Sequence, residues 1–84
     1  EHARTLDATA RVARNIAWLI NPVIAPRAGD RIEISQEELG LLSGVSRQAA
    51  NAALRQLAAE GLVSVDHRSV IVRDRARLAR YGGD

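Results

Sequence analysis

Apolar side chains recur along this chain with two different periods, and the places where the period changes mark out its elements. In "DATARVARNIAWLIN", Val12, Ile16, Leu19 and Ile20 fall at i, i+4, i+7 and i+8, the single stripe of an amphipathic helix. Asp7 stands where a side-chain oxygen can cap the open amides of the first turn, and its charge suits the helix dipole. Asn21-Pro22 stops the helix, because the residue before a proline is turned away from helical angles. "PVIAPRAGD" is a loop carrying two prolines and a glycine, and the brief alternation of "RIEI" reads as a short strand.

The helical period returns in "SQEELGLLSG". Ser35 and Glu38 have the S-x-x-E spacing of a capping box, so the spacing predicts a helix from Gln36 with Leu39 and Leu42 pointing inward. Gly44 permits the left-handed conformation that ends such a helix in a tight turn, and Ser46 is placed to cap a second helix three residues on. Ala50, Ala53, Leu54 and Leu57 form the buried stripe of that helix, the alanines allowing a neighbour to approach closely. Gly61 ends it, followed by an apolar Leu62. "LVSV" and "VIV" then flank "DHRS" as a β-hairpin, and the tail "RDRARLARY" docks through Leu78 and Tyr81. Helix, short strand, helix, three-residue turn, helix and hairpin make a winged helix-turn-helix, mainly α with a small β-sheet. Residues 1–5, "EHART", have no core pattern of their own and read as the end of an element of a longer protein, which leaves 6–84 as one domain.

Composition narrows what this domain can do. The 84 residues allow a single modest core, and it must be aliphatic, since there is no Phe or Met and only one Trp and one Tyr. Trp18, on the apolar–polar boundary of the first helix, is read as core or inter-domain packing. Without cysteine there is no disulfide framework and no thiolate metal site. "IAWLI" is too short to span a bilayer and no signal peptide is visible, so the expectation is a cytoplasmic protein without a membrane partner. His2 and His67 lack any ligand spacing, and no nucleophile, phosphate-cradling or zinc motif occurs. Glu37 and Glu38 diverge by about 100° on a helix and cannot work as an acid/base pair. Catalysis is therefore not expected, nor is a cofactor or metal in this chain.

Charge points elsewhere. All twelve basic residues are Arg, and from Val45 to Arg80 seven of them face only three acids, whereas Glu1 to Gly44 is slightly acidic. The positive excess sits where a polyanion could be met. In "GVSRQAANAALRQL", setting Arg47 at zero places Asn51, Arg55 and Gln48 within about 100° of it, all on the face opposite the buried stripe. Arg can bind the O6 and N7 edge of guanine through two hydrogen bonds, and Gln or Asn can pair in the same way with adenine. Arg47, Gln48 and Asn51 are accordingly the candidate base readers. Arg55 and Ser46, with the open amides of the first turn, are placed for phosphate. His67 and Arg68 at the hairpin tip could lie over the sugar-phosphate backbone. A merely solvated helix face is the competing reading of these side chains, although Asn is a poor mid-helix residue without a task.

The residues also resemble a known family. "ISQEELGLLSGVSRQAANAALRQLAAEGLVSV" is similar to the C-terminal DNA-binding domain of the cyclic-AMP receptor / fumarate-nitrate-reduction regulator (Crp/Fnr) family of bacterial transcription factors. "LDATARVARNIAWL" looks like the helix that opens that domain, and "VIVRDRARLARY" like its wing strand and tail, so the likeness runs from about Leu6 to Tyr81. It implies a second helix lying in the major groove, with Arg47 reading guanine, Gln48 setting base preference and Asn51 and Ala52 facing the bases. Ser46, Gly44 and Arg55 would meet the backbone, to which Ser35 and Gln36 are assigned as well. Ala52 departs from the many relatives with Arg there, so their operator sequences do not carry over. The resemblance further implies an upstream effector domain and a dimerisation helix, of which residues 1–5 would be the last turn or hinge. The expected partner is double-stranded DNA with two-fold symmetry, bound by a homodimer, with RNA polymerase a further candidate; the effector is not set by these residues. Two other readings compete, a winged-helix protein-interaction module and a winged-helix regulator of another family.

Overall fold

Capping chemistry sets the observed element boundaries. The computed structural model describes residues 8–21, 30–66 and 68–82, and among these the order is α1 (Ala8–Leu19), β1 (Arg31–Glu33), α2 (Gln36–Ser43), α3 (Arg47–Ala59), β2 (Val63–Val65), β3 (Ser69–Val72) and α4 (Arg75–Ala79). The Asp7 cap, the loop 22–29 and His67 lie outside the described residues.

α1 buries Val12, Ile16 and Ile20 as its stripe predicts, and adds Ala10, Ala13 and Ala17, while Leu19 is only half-buried. Ala13 and Ala17 of α1 share the core with Ala50 and Ala53 of α3, and these two helices make the most extensive packing among the described elements. Small residues on both sides let the two helices come close enough for Ile16, Leu54 and Leu57 to be sealed from solvent.

α2 begins with the capping box in full. The Glu38 amide donates to Ser35 Oγ at 3.0 Å, and the Ser35 amide donates to the Glu38 carboxylate at 2.9 Å. It ends at Gly44, whose φ of 72° only glycine adopts cheaply. There the Val45 amide donates to the Gly40 carbonyl at 2.9 Å and the Gly44 amide to Leu41 at 3.4 Å, the paired bonds of a Schellman turn. Leu39 is fully buried, but Leu42 corrects the inward expectation, being 55% exposed. The buried side of α2 is Leu39, Gly40 and Ser43, and Leu42 stands about 100° from its centre. Gly40 is the reason: with no side chain it lets the backbone of Val45 and Ser46 approach, which rolls that flank of α2 inward and Leu42 outward.

Ser46 caps α3 through the Ala49 amide at 3.0 Å, and Ala50, Ala53, Leu54 and Leu57 are buried as their spacing predicts. After α3, Gly61 takes a φ of 78° and the Leu62 amide returns to the Leu57 carbonyl. The sheet is antiparallel in the order β1-β3-β2, so the "RIE" segment pairs with the second hairpin strand, Ile32 opposite Val70. Leu62, Val63, Val70 and Val72 close the core from that side. The tail forms a short helix, α4, capped by Asp74, with Leu78 fully buried. Tyr81 packs against the core, donates its hydroxyl to Glu60 at the end of α3, and accepts Arg14 Nε at its carbonyl at 3.1 Å. Trp18 is 56% exposed, so it is not a core residue of this domain.

Candidate nucleic-acid interface

The outward face of α3 holds Arg47, Gln48, Ala52 and Arg55, all exposed, while Asn51 between them is half-buried. None of the large exposed hydrophobic side chains among the described residues, Trp18, Leu41, Leu42 and Val65, lies on this helix. The face is polar because the aliphatic residues of α3 are committed to α1 and α2 on the other side.

At the start of α3 several predicted residues come together. Ser35, Gln36, Glu37, Arg47 and Arg68 line one shallow polar depression, so the beginnings of α2 and α3 and the hairpin tip share a surface. Ser46 Oγ and Ser35 Oγ each accept a helix amide, which leaves each hydroxyl proton available for an outside acceptor. The first amides of α3 have no helical partner and carry the positive end of its dipole. Arg55 stands two turns further along the helix, outside this depression.

Two residues are engaged inside the domain. Asn51 Oδ1 accepts the Gln36 side-chain amide at 3.1 Å, a bridge between α2 and α3. Gly44 has its amide bound to Leu41 and its carbonyl to Arg11 Nη1 of α1 at 3.3 Å, so both its polar groups are engaged within the domain. Glu38 is held below the usual carboxylate range, first by the Ser35 amide, then by the Ser35 hydroxyl, with the charge of Arg68 assisting. The charge of Arg68 thus adds, as the smallest contribution, to the preference for the ionised form. Glu60 is lowered likewise, by the Tyr81 hydroxyl first and Gln56 second.

Sequence reasoning missed Gly40 and Arg11. Gly40 carried a legible signal, a glycine inside a helical pattern, which commonly marks a close approach. Arg11 carried none, because its partner Gly44 is 33 residues away in the chain.

Helix, cap, tight turn, polar outward helix and hairpin match a known domain in order and in length. The sequence model of the Crp-like helix-turn-helix domain matches residues 10–81. The chain belongs to this family. Two Mycobacterium tuberculosis proteins named CRP-like cAMP-activated global transcriptional regulator are 34% identical to it over 77 residues, 88% of this chain and 34% of theirs. The catabolite activator protein of Thermus thermophilus superimposes with a TM-score of 0.77 at 33% identity, covering 87% of this chain and 32% of that one. A second CRP-family transcriptional regulator from Thermus thermophilus gives 0.75 at 30% identity, over 90% of this chain and 40% of its own. The Crp-like chain thus spans about a third of the length of the curated relatives it matches. Its fold is a winged helix-turn-helix, and DNA-binding transcription regulation is the class of function this membership supports. Among the described residues of this Crp-like domain no cluster of three or more His, Cys, Asp or Glu could hold a metal ion, and no helix is long and apolar enough to cross a membrane.

Proposed function

We propose that this chain binds double-stranded DNA sequence-specifically, with α3 in the major groove and the β2–β3 wing on the sugar-phosphate backbone. The observation that carries the reading is the outward face of α3, where Arg47, Gln48 and Arg55 are exposed without a large apolar residue among them. An α-helix fits the width of the major groove, and Arg47, in the first turn beside the α3 N-terminus, is placed to reach guanine. Gln48 and Asn51 read neighbouring bases. Ser46, Ser35 and Arg68 position the domain on phosphates, with Arg55 further along; His67, next to Arg68 in the sequence, is a further candidate. Gln36 lines the same surface, and Gly44 contributes by shaping the turn that presents Ser46. A protein-interaction module would set large exposed apolar side chains on α3, and among the described residues those stand on α1, α2 and β2 instead.

One recognition helix offers roughly 600–1,000 Å² of contact, too little for tight specific binding at physiological salt. The whole regulator is accordingly proposed to be a cytoplasmic homodimer, joined through a helix outside the described residues. It would bind a two-fold operator with half-sites ~34 Å apart and act there with RNA polymerase. The cyclic nucleotide in the name of the Mycobacterium tuberculosis relatives, or another effector, would be taken by a part of the protein outside this chain. Fluorescence-anisotropy titration with genomic DNA fragments at two salt concentrations tests the central claim. Binding should prefer some fragments and weaken with salt; binding that does neither would overturn it.

A further inference from the structure

Asn51 was read from sequence as a partner for adenine, which needs one acceptor and one donor on the same side chain. In the fold one of the two lone pairs of its acceptor is engaged. Gln36 Nε2, in the first turn of α2, donates to Asn51 Oδ1 at 3.1 Å, and both side chains are half-buried. Asn51 Nδ2 donates to no described residue, and it sits one turn after Arg47 and one turn before Arg55, both exposed.

We infer that Gln36 is a positioning residue that fixes the amide orientation in which Asn51 meets the DNA, so that the base edge it selects is set from α2. This rests on the α3 reading proposed above. The Nδ2 donor suits purine N7, guanine O6 and thymine O4, and the remaining lone pair of Oδ1 can accept an exocyclic amine in the direction that the Gln36 bond leaves open. The tie also explains why an Asn, a poor mid-helix residue, is ordered here: the α2 contact removes the rotational freedom that would let it read either way. A specificity determinant thereby lies on α2, outside the helix that touches the bases.

The chemistry of the partner allows the polarity to be reversed. An ionised carboxylate accepts and cannot donate, so in Gln36→Glu the Asn51 amide must turn its Nδ2 toward residue 36 and its Oδ1 toward the groove. The test begins with selection of the preferred site from a randomised duplex library by the full chain. Competition binding with all four base pairs at each position then compares wild type with Asn51→Ala, Arg47→Ala, Gln36→Ala and Gln36→Glu. Gln36→Ala should relax discrimination at the same base pair as Asn51→Ala, by roughly 3- to 10-fold, the worth of one net hydrogen bond. Gln36→Glu, by turning the Asn51 amide over, should change which base is preferred at that pair. Its added charge weakens binding to every sequence equally and cancels in the ratio. If the Gln36 variants weaken all sequences alike while Asn51→Ala relaxes one pair, the inference fails and the α3 reading stands. If Asn51→Ala leaves every preference intact while Arg47→Ala does not, the outcome is the same. If neither Asn51→Ala nor Arg47→Ala alters any preference, the α3 reading itself is wrong and the inference falls with it.

Discussion

Gly40→Ala exposes the contact on which the helix-turn-helix depends. A Cβ built at Gly40 would lie 2.8 Å from the Val45 carbonyl oxygen, 3.2 Å from that of Ser46 and 3.3 Å from the Ser46 carbonyl carbon. All three are backbone atoms, so no side chain can swing aside to relieve the clash. The turn would have to retreat by about half an ångström to reach ordinary contact, and overpacking of this kind costs about 1–3 kcal/mol. Retreat also stretches the Val45-to-Gly40 and Gly44-to-Leu41 hydrogen bonds, the second already 3.4 Å long, each worth about 0.5–1.5 kcal/mol. Against this, alanine is the better helix former by about 1 kcal/mol. The balance is a destabilisation of about 1–3 kcal/mol, which in a domain of this size lowers the melting temperature by roughly 5–20 °C. Thermal unfolding followed by circular dichroism measures it. A variant as stable as wild type, or more stable, would show that propensity wins and that the close approach exerts no constraint. Gly61 supplies the contrast, since a Cβ there meets nothing within 4 Å and only its φ of 78° resists a side chain. Asn, which tolerates that conformation, should be accepted at Gly61 and rejected at Gly40.

Arg47→Ala should remove discrimination at one guanine, whereas Arg55→Ala should weaken all sequences alike and flatten the salt slope by about one, as competition binding at several salt concentrations will show. Ser43 is 7% exposed and its hydroxyl has no hydrogen-bond partner among the described residues, so Ser43→Ala should stabilise the domain by about 1 kcal/mol in denaturant titration. Glu38 and Glu60 are both held below the usual carboxylate range, so the folded chain binds fewer protons than the unfolded one in the acid window between their two values. Their stabilisation is complete above the ordinary carboxylate range and is lost as pH falls through the lowered folded values; melting temperatures should drop across that window, less so in Glu38→Gln and Glu60→Gln.

Local chemistry was legible in the sequence wherever the partners lie within one turn of each other. The Ser35–Glu38 capping box, the Ser46 cap, the left-handed glycines at Gly44 and Gly61 and the apolar stripe of α3 all appear where their spacing puts them. The caps and turns are closed by atoms three to five residues away and the stripe follows from helical period, so no tertiary information is needed to place them. The outward set of Arg47, Gln48 and Arg55 was legible for the same reason, since helical period alone separates it from Ala50, Ala53, Leu54 and Leu57. The tertiary structure decided what depends on one element meeting another. It turned Leu42 outward because α2 is rolled about Gly40 against the following turn, and it paired β1 with β3 rather than leaving a lone strand. It brought Arg11 to Gly44, Arg68 to the start of α2, and Gln36 to Asn51. No periodicity records such meetings, because they follow from the angles at which helices pack, which are set by side-chain volume at contacts far apart in the chain.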